Sequence, residues 1–350
     1  MDYRTECMEI SDFDIVKSFP IDWEQFRNTS ILVTGATGRL GIFIVETLCG
    51  ACIDWNLSLN IVAVARNETK AKEVFGETLN LPFVNLLIQD ATDAFDLDGP
   101  IDYIFHTAGP AAPEDFTHNP VGTLWAHVEG TRNVLELARL KHSKKVLYVS
   151  TVEIYGNWES EVPITEGDMG PVNCNIARSC YPEAKRLCET MLASYKAQFG
   201  LDFTSLRMSH TIGPNISLTD GRAFAEFIRN LLDGNDIILR SDGSAVRTYT
   251  YVADAIGAMF LAVTKGKENF YNVANNANQI SIRDLAHLIA ENDDKGAVNV
   301  IYEGVDKDGL VYLPFNLGLM DVAKITEIGW RPKVDIATTF RRTISSLINN

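Results

Sequence analysis

From residue 30 onward, the hydrophobic and polar positions of the chain follow two alternating periods. Short apolar runs predict buried strands, and longer segments with apolar residues three and four apart predict helices between them. The predicted strands are 31–33, 61–65, 85–89, 102–108, 145–150 and 202–209, and the predicted helices include segments starting at Leu40 and spanning 119–141. This alternation predicts an α/β fold: a Rossmann-type doubly wound parallel sheet with right-handed crossovers and helices on both faces.

The pattern loosens after about residue 205, where loops and shorter elements predict a smaller α+β C-terminal lobe. We expect the main domain to comprise 30–212 and 248–275, and the substrate lobe to comprise 213–247 and 276–350. Residues 1–29 form an N-terminal extension, which we expect to lay a helix against the body without chemistry of its own. Because ligands of open α/β sheets bind outside the carboxyl ends of the strands, the lobe is expected to close over that edge.

Three glycines lie in the first predicted turn from strand to helix, in 31-ILVTGATGRLG-41. Their GxxGxxG spacing is one residue longer in its first gap than the GxGxxG fingerprint, and an ordinary glycine-rich loop is the alternative. A turn from strand directly into helix offers free backbone N–H groups and the positive end of a helix dipole to a pyrophosphate. The turn therefore predicts a dinucleotide site, with cofactor-binding residues Gly35, Thr37, Gly38, Arg39, Leu40 and Gly41.

The composition of the chain limits the classes of partner that it is expected to bind. The chain has 350 residues, of which 46% are hydrophobic, and a formal net charge of -15. An acidic surface argues against nucleic-acid or anionic-membrane partners. No apolar run approaches the about 18 residues that span a bilayer, and the polar N-terminus lacks a signal-peptide pattern. We expect a cytoplasmic protein.

The six cysteines, at positions 7, 49, 52, 174, 180 and 188, fit neither a disulfide framework nor a four-ligand zinc site. Cys49 and Cys52 have redox spacing but fall at the C-terminal end of a predicted helix, where a thiolate gains nothing from the dipole, so we interpret them as packing residues. No metal site is predicted.

Residues at the ends of two predicted strands indicate how the chain would bind the adenosine part of the dinucleotide. Arg66 ends the second strand, where an arginine can pair with the 2′-phosphate of NADP and a carboxylate would favour NAD. This leans slightly toward NADP, with a solvated arginine as the alternative. Asp90 ends the third strand and is predicted to accept a hydrogen bond from the adenine amine, with a helix N-cap as the alternative. Ala91, which follows it, is also predicted to bind the cofactor.

A helical segment, 179-SCYPEAKRLCETM-191, holds the strongest catalytic signal. Tyr181 and Lys185 are four apart and therefore share one helix face, and Pro182 suits a first turn. A lysine ammonium beside a phenol lowers the phenol's pKa, which would make Tyr181 a general base. Thr151, at the end of the fifth strand, can hydrogen-bond the same substrate hydroxyl.

This combination resembles the extended short-chain dehydrogenase/reductase family that acts on nucleotide sugars. The segments that carry the resemblance, in order, are TGATGRLG, 106-HTAG-109, 150-STVEIYG-156, the Tyr–Lys pair, 206-LRMSHTIGP-214 and 247-RTYTYVADA-255. The resemblance implies tightly bound NAD+ or NADP+, a nucleotide-diphosphate sugar as substrate, a homodimer through paired helices, and cofactor contacts by Thr107, Ala108 and Gly109 besides Tyr181 and Lys185.

The two residues after Thr151 help to distinguish the reactions that members of this family catalyse. Family 4,6-dehydratases have an Asp and a Glu there, but this chain has Val152 and Glu153, and valine cannot donate a proton. Simple 4-epimerases generally lack a carboxylate at the position of Glu153. The stretches 108–120 and 172–186 are similar to segments of UDP-glucuronate decarboxylases, so decarboxylation through a transient 4-keto sugar is favoured, 4-epimerisation comes second and dehydration third.

The resemblance also implies the substrate contacts, which are Pro110, Glu153, Ser209, His210, Arg222 and Arg247. Arg247 would neutralise a carboxylate or a phosphate. Two departures from the decarboxylases fall here: Val152 replaces a serine, and Ser209 and His210 stand where the family commonly holds the nucleotide with Phe-Asn. A non-catalytic NAD(P)-sensing protein and a reductase that releases reduced cofactor are the other hypotheses.

Overall fold

The structure, a computed structural model, describes residues 11–293, 296–303 and 317–348. Its strands are β1 (Ser30–Thr34), β2 (Asn60–Ala65), β3 (Val84–Ile88), β4 (Tyr103–His106), β5 (Lys145–Thr151), β6 (Phe203–Met208), β7 (His210–Ile212), β8 (Ile237–Leu239), β9 (Val246–Tyr251), β10 (Phe270–Val273), β11 (Gln279–Ser281) and β12 (Val300–Tyr302). Its α-helices are α1 (Asp12–Lys17), α2 (Arg39–Asp54), α3 (Glu68–Phe75), α4 (Pro113–His118), α5 (Pro120–Lys141), α6 (Cys180–Phe199), α7 (Ala223–Leu232), α8 (Val252–Lys265), α9 (Ile282–Ala290), α10 (Ala323–Glu327) and α11 (Ile336–Ile348).

Seven strands form one parallel sheet in the order β10-β6-β5-β4-β1-β2-β3, which confirms the predicted doubly wound fold. All five residues of β1 are buried, as a central strand covered on both faces requires. The predicted strand 102–108 is shorter in the structure, because the chain leaves the sheet after His106 and reaches φ +139° at Gly109. That early turn opens the carboxyl edge of the sheet.

The N-terminal extension packs on the main domain through the short helix α1 and a 3-10 turn, Trp23–Phe26. The fully buried Phe26 ring meets the rings of Tyr103 and Phe260, with centroids 5.1 and 5.8 Å away. Residues 1–10, which include Cys7, lie outside the described residues. Over the described part, the extension completes one face of the main core.

A smaller lobe holds a three-stranded sheet, β11-β9-β7, and a parallel pair, β12 and β8. It has its own core between α7, α9 and α11. In the main core, however, Ile325, Trp330 and Val334 pack beside α8, although they fall within the predicted lobe segment 276–350. The division of the chain into domains therefore stays a prediction.

Two findings concern the predictions from composition. Cys49 and Cys52 are buried in the main core near the end of α2, and burial raises the pKa of Cys49 to about 12, which agrees with a packing role. In the described ranges, no group of His, Cys, Asp and Glu side chains could hold a metal ion, and no helix is long and apolar enough to cross a membrane.

We predict that Phe26→Ala lowers the free energy of unfolding by about 3–5 kcal/mol, because it leaves a cavity in the main core. Urea denaturation followed by circular dichroism measures the change. Phe199→Ala, at a side chain that is 47% exposed, is the matched control and should cost less than about 1 kcal/mol. An equal effect of both substitutions would contradict a core role for the extension.

Candidate active site

The glycine turn between β1 and α2 lies at the carboxyl edge of the main sheet. Gly35 has φ +67°, and a Cβ there would come within 2.8 Å of the Ala108 backbone. A Cβ at Gly41 would come within 2.2 Å of the Gly35 carbonyl oxygen. Gly38 is the N-cap of α2 and offers no side chain to the first N–H groups of the helix. The turn thus has free helix N–H groups and no Cβ on its approach side, as a pyrophosphate site requires.

The segment after β4 forms the neighbouring wall. The Thr107 hydroxyl donates to the Thr34 carbonyl at 2.7 Å, which ties the two strand ends together. A Cβ at Gly109 would overlap the His127 ring, and the His127 Nε2–H donates to the Pro110 carbonyl at 2.9 Å. Pro110 is therefore held by α5 through its backbone.

One cleft gathers most of the predicted residues. Those that line it are Gly38, Arg39, Leu40, Thr107, Gly109, Thr151, Glu153, Tyr181, Ser209, His210 and Arg222. A second cavity shares Val152, Ser209 and His210 with this cleft and adds Arg247. The other predicted residues lie outside both linings: Gly35, Gly41 and Ala108 support the turn, Thr37 is half-buried within it, and Lys185 is buried on α6.

Arg66 and Asp90 lie at adjacent strand ends, outside this cleft. Their closest nitrogen and oxygen are 3.7 Å apart, and the side chains are 77% and 39% exposed. Asp90 also accepts hydrogen bonds from the Thr92 N–H and hydroxyl, both at 2.9 Å. Partial burial acts to raise the pKa of Asp90, but these bonds and Arg66 bring it below its usual value.

The N-cap alternative for Asp90 is wrong, because the next α-helix in the continuous stretch 11–293 starts only at Pro113. Asn133 donates to the Ala91 carbonyl at 3.2 Å.

The predicted catalytic residues meet where β5 ends beside α6. Thr151 ends β5, and its hydroxyl accepts the Glu153 N–H at 3.3 Å. Tyr181 and Lys185 lie one turn apart on α6, and the Lys185 ammonium donates to the Val149 carbonyl at 2.7 Å. The ammonium lies 5.9 Å from the centroid of the Tyr181 ring. The Thr151 hydroxyl and the Tyr181 phenol thus line the cleft, and the Lys185 ammonium lies buried behind them.

The described groups do not give the low pKa that was expected for Tyr181, and Lys185 is not among the main influences on it, so the effect of Lys185 on this pKa stays a prediction. Burial raises the pKa of Tyr181 above its ordinary value, and the charge of Glu153 adds to the rise. The Thr151 hydroxyl opposes this rise, as do Arg222 and Arg178. Burial also lowers the pKa of Lys185 to about 8. The same apolar surroundings therefore disfavour the charged forms of both side chains.

Glu153 is held by an arginine that the sequence did not assign. The Arg178 Nη2 donates to both carboxylate oxygens, at 3.1 and 2.9 Å, and each side chain is only 13% exposed. Burial raises the pKa of Glu153, and Arg178 acts against that rise. Glu153 is thus both a buried ion-paired acid and part of the cleft lining.

The part of the cleft around His210 and Arg222 is rich in arginine. Arg222 pairs with the buried Asp220, and the Arg39 Nη2 lies 3.8 Å from the same carboxylate. Desolvation lowers the pKa of His210 to about 3, and nearby Arg222 and Arg247 add to that effect. His210 is therefore neutral near pH 7. This part of the cleft suits an anionic ligand.

The turn and the cleft fit a dinucleotide. Besides the approach left open by the glycines, the buried Ser150 hydroxyl lines the cleft and has no hydrogen-bond partner among the described residues. A buried polar group is normally satisfied, so a ligand oxygen or amide at this point would complete it.

Comparisons with known proteins agree with this geometry. Residues 31–274 match the model of the NAD dependent epimerase/dehydratase family. The chain belongs to this family. It is 30% identical over 311 residues to UDP-glucuronic acid decarboxylase 6 of Arabidopsis thaliana, covering 88% of this chain and 86% of that protein. It is 28% identical to UDP-glucuronic acid decarboxylase 1 of Xenopus tropicalis, covering 90% and 71% of the two chains.

Solved structures share the fold of this family member. UDP-glucose 4-epimerase of Thermotoga maritima, solved with UDP-glucose, matches with a TM-score of 0.77 and 24% identity over 92% of this chain and 99% of that one. UDP-glucuronic acid 4-epimerase of Bacillus cereus, in complex with UDP-glucuronic acid and NAD, matches with a TM-score of 0.75 and 20% identity over the same shares.

Sequence reasoning missed several residues of this family member's site. The sequence gives no role to Arg178, Phe116 or Asp220, although Arg178 and Phe116 lie in the stretches 172–186 and 108–120. Their partners are distant in sequence or lie across a turn, so no local spacing marks them. Ser209 was expected to contact substrate, but its hydroxyl is paired with the Thr250 hydroxyl at 2.7 Å.

We predict that Gly35→Ala weakens NAD+ binding about 5- to 150-fold, because the backbone strain and the contact with Ala108 cost about 1–3 kcal/mol. Isothermal titration calorimetry on cofactor-free protein measures the affinity. Gly167→Ala is the matched control, since the closest atom to its Cβ would be 3.7 Å away, and should bind like the wild type. Wild-type affinity in a folded Gly35→Ala protein would rule out this turn as the dinucleotide site.

Proposed function

We propose that this protein decarboxylates a UDP-glucuronate-type nucleotide sugar through a transient 4-keto intermediate, in a cycle with no net oxidation or reduction. The observation that carries the proposal is the convergence of Thr151, Glu153 and Tyr181 on one wall of a cleft that faces arginines. An acid-base residue for O4 and a carboxylate for C5 are what this reaction needs from a protein. The likeness to the curated decarboxylases supports it.

The chain's own residues divide the work as follows. Tyr181 takes the proton of the C4 hydroxyl, and the Thr151 hydroxyl hydrogen-bonds the same oxygen. The resulting ketone is β to the C5 carboxylate, so the electron pair of the breaking carbon–carboxylate bond moves toward the ketone oxygen as carbon dioxide leaves. A water molecule that Glu153 orients gives its proton to C5, the hydroxide that remains is neutralised by a proton from solvent, and Tyr181 returns its proton to O4. When bound, NAD+ supplies the hydride acceptor and the later hydride donor at C4.

We further propose that the cofactor is NAD+ and that it stays bound throughout turnover. Glycines of the turn, Thr107 and Tyr181 would hold it. The sequence leaned slightly toward NADP through Arg66, but a 2′-phosphate beside Arg66 would also face the Asp90 carboxylate, 3.7 Å from the guanidinium. That repulsion favours NAD+.

The alternatives rank below decarboxylation for stated reasons. A 4-epimerase needs no carboxylate at Glu153, and a 4,6-dehydratase needs a proton donor where the chain has Val152, which packs in an apolar cluster. A non-catalytic sensor of NAD(P) needs only an occupied cleft, and so gives no reason for the Tyr181 and Lys185 pair. A reductase would release its reduced cofactor, whereas the proposed cycle returns the hydride to the sugar.

We also propose a homodimer through the exposed faces of α5 and α6. Val121 and Trp125 on α5 are 63% and 57% exposed, and Leu187 on α6 is 46% exposed. Apolar side chains grouped on one face favour a partner surface of the same kind. The cytoplasmic location stays a prediction.

The proposal predicts a loss of 44 Da, carbon dioxide, when the purified protein is incubated with NAD+ and UDP-glucuronate and the product is weighed by mass spectrometry. Tyr181→Phe should lower kcat by about 10²–10⁴-fold while NAD+ still binds, since it removes the acid-base group. An isomer of unchanged mass would indicate the epimerase, loss of water the dehydratase, and no product with any nucleotide sugar the sensor. Full turnover by Tyr181→Phe would refute the catalytic assignment.

Substitution of Arg247 tests whether this residue contacts the carboxylate or the diphosphate of the substrate. Its Nη1 donates only to its neighbour's carbonyl at 2.8 Å, and it makes no ion pair with another described residue. We predict that Arg247→Met raises KM for UDP-glucuronate about 10–100-fold, the loss of one charged hydrogen bond, and leaves inhibition by UDP-glucose unchanged. Arg240→Met, which breaks an exposed pair with Glu226, is the control. A matching loss for both ligands would assign Arg247 to the diphosphate.

A further inference from the structure

Three flat groups stack beside the cleft. The Phe116 ring lies on the Tyr181 ring, with centroids 4.3 Å apart and planes 17° apart. The Arg178 guanidinium lies over the Phe116 ring, 4.6 Å from its centroid. Phe116 comes from α4, Tyr181 from α6 and Arg178 from the 3-10 turn Ala177–Ser179, so three separate elements build the stack.

The stack of Tyr181, Phe116 and Arg178 ends at the Glu153 carboxylate. Arg178 donates to both oxygens of Glu153, as described above, while its guanidinium lies over the Phe116 ring. A guanidinium can do both at once because it donates in its plane and attracts an aromatic ring at its face. Tyr181 and Glu153, which belong to different elements, are therefore connected through one continuous stack.

We propose that Arg178 and Phe116 are positioning residues, which fix the Glu153 carboxylate and the Tyr181 ring relative to each other at the reacting sugar. Phe116 fixes the plane of the phenol, and Arg178 fixes the carboxylate and favours its ionised form. Neither side chain lines the cleft, so each acts through the residue that it holds. This inference rests on the proposed function for its activity measurements.

Other charged and titratable groups also face Glu153. Arg222 at the start of α7 and Arg247 on β9 favour its ionised form more weakly than Arg178, and burial disfavours it. The Tyr181 phenol on α6 faces it as a neutral group whose own pKa Glu153 raises. Removing Arg178 thus leaves a buried carboxylate with only two weaker cationic neighbours, so its pKa must rise.

The first experiment measures kcat from pH 5.5 to 9 in the Arg178→Met protein. We expect the acidic limb, below which Glu153 is protonated, to move up by about 1–3 pH units, so that activity falls far more at pH 6 than at pH 8. Arg178→Lys keeps the charge and should keep the limb near its wild-type position. In Glu153→Gln, this limb should be absent, and adding Arg178→Met to that protein should change little.

The second experiment compares two substitutions of Phe116. Phe116→Leu loses the stack and should lower kcat about 2- to 10-fold with KM unchanged, the usual effect of an aromatic pair. Phe116→Tyr keeps a ring in place and should restore most of kcat. A merely structural role would affect kcat and KM alike and would not distinguish the two variants.

The chain offers a matched control away from the cleft. On the surface of α5 and α6, Arg139 binds Glu136 and lies over the Phe199 ring, 5.4 Å from its centroid, while the Phe199 and Tyr195 rings are 5.4 Å apart. This second arrangement has the same four residue types. Arg139→Met and Phe199→Leu should leave the pH profile and kcat unchanged.

Loss of kcat by one factor at every pH in Arg178→Met, or equal effects of Phe116→Leu and Phe116→Tyr, would overturn the inference. If the wild type turns over no nucleotide sugar, the proposed function fails, and crystal structures decide the inference instead. The Tyr181 ring should then rotate in Phe116→Leu and the Glu153 carboxylate should move in Arg178→Met. Unmoved side chains in both would refute it.

Discussion

Parallel pairing of β1, β4, β5 and β6 is the constraint on which the site depends. The register sets Thr34 beside His106 and Thr151 beside Met208, so the carboxyl ends of these strands meet along one edge. Each chain segment that leaves this edge then enters the same cleft, which is why the glycine turn and Thr151 meet although they are more than one hundred residues apart in sequence. A shift of one residue in register would turn Thr151 to the other face.

Charge is distributed unevenly in this acidic chain. With a net charge of -15, its surface repels anions, yet the cleft and the cavity beside it hold Arg39, Arg222 and Arg247. The carboxylates of Glu114, Glu153 and Asp220 also line the cleft, and those of Glu153 and Asp220 are paired with arginines. Walls of low dielectric strengthen such a local field. Because Arg222 and Arg39 share Asp220, an entering phosphate meets positive charge that is already held in place. The cleft can therefore select an anionic substrate that the rest of the surface would reject.

The sequence predicted the sheet, the glycine turn and the positions of Tyr181 and Lys185, because each follows from a local period or spacing. It did not predict that Arg178 binds Glu153 or that Phe116 stacks on Tyr181, since these contacts join segments 25 and 65 residues apart. It also gave the wrong direction for the pKa of the phenol. Proximity of a lysine can be inferred from helical spacing, but burial depends on every element packed around the pair.

Burial of Tyr181 and Lys185 determines when the base is formed. With the chain's groups alone, the pKa of Tyr181 lies above its ordinary value and that of Lys185 is about 8, so near pH 7 the phenol is neutral and the ammonium is mostly protonated. Glu153 raises the pKa of the phenol further when it is ionised. A cationic ligand beside the phenol would oppose these effects and lower its pKa. Deprotonation of Tyr181 would then be coupled to occupancy of the cleft, because burial and the charge of Glu153 both hold the phenol neutral until such a ligand is bound.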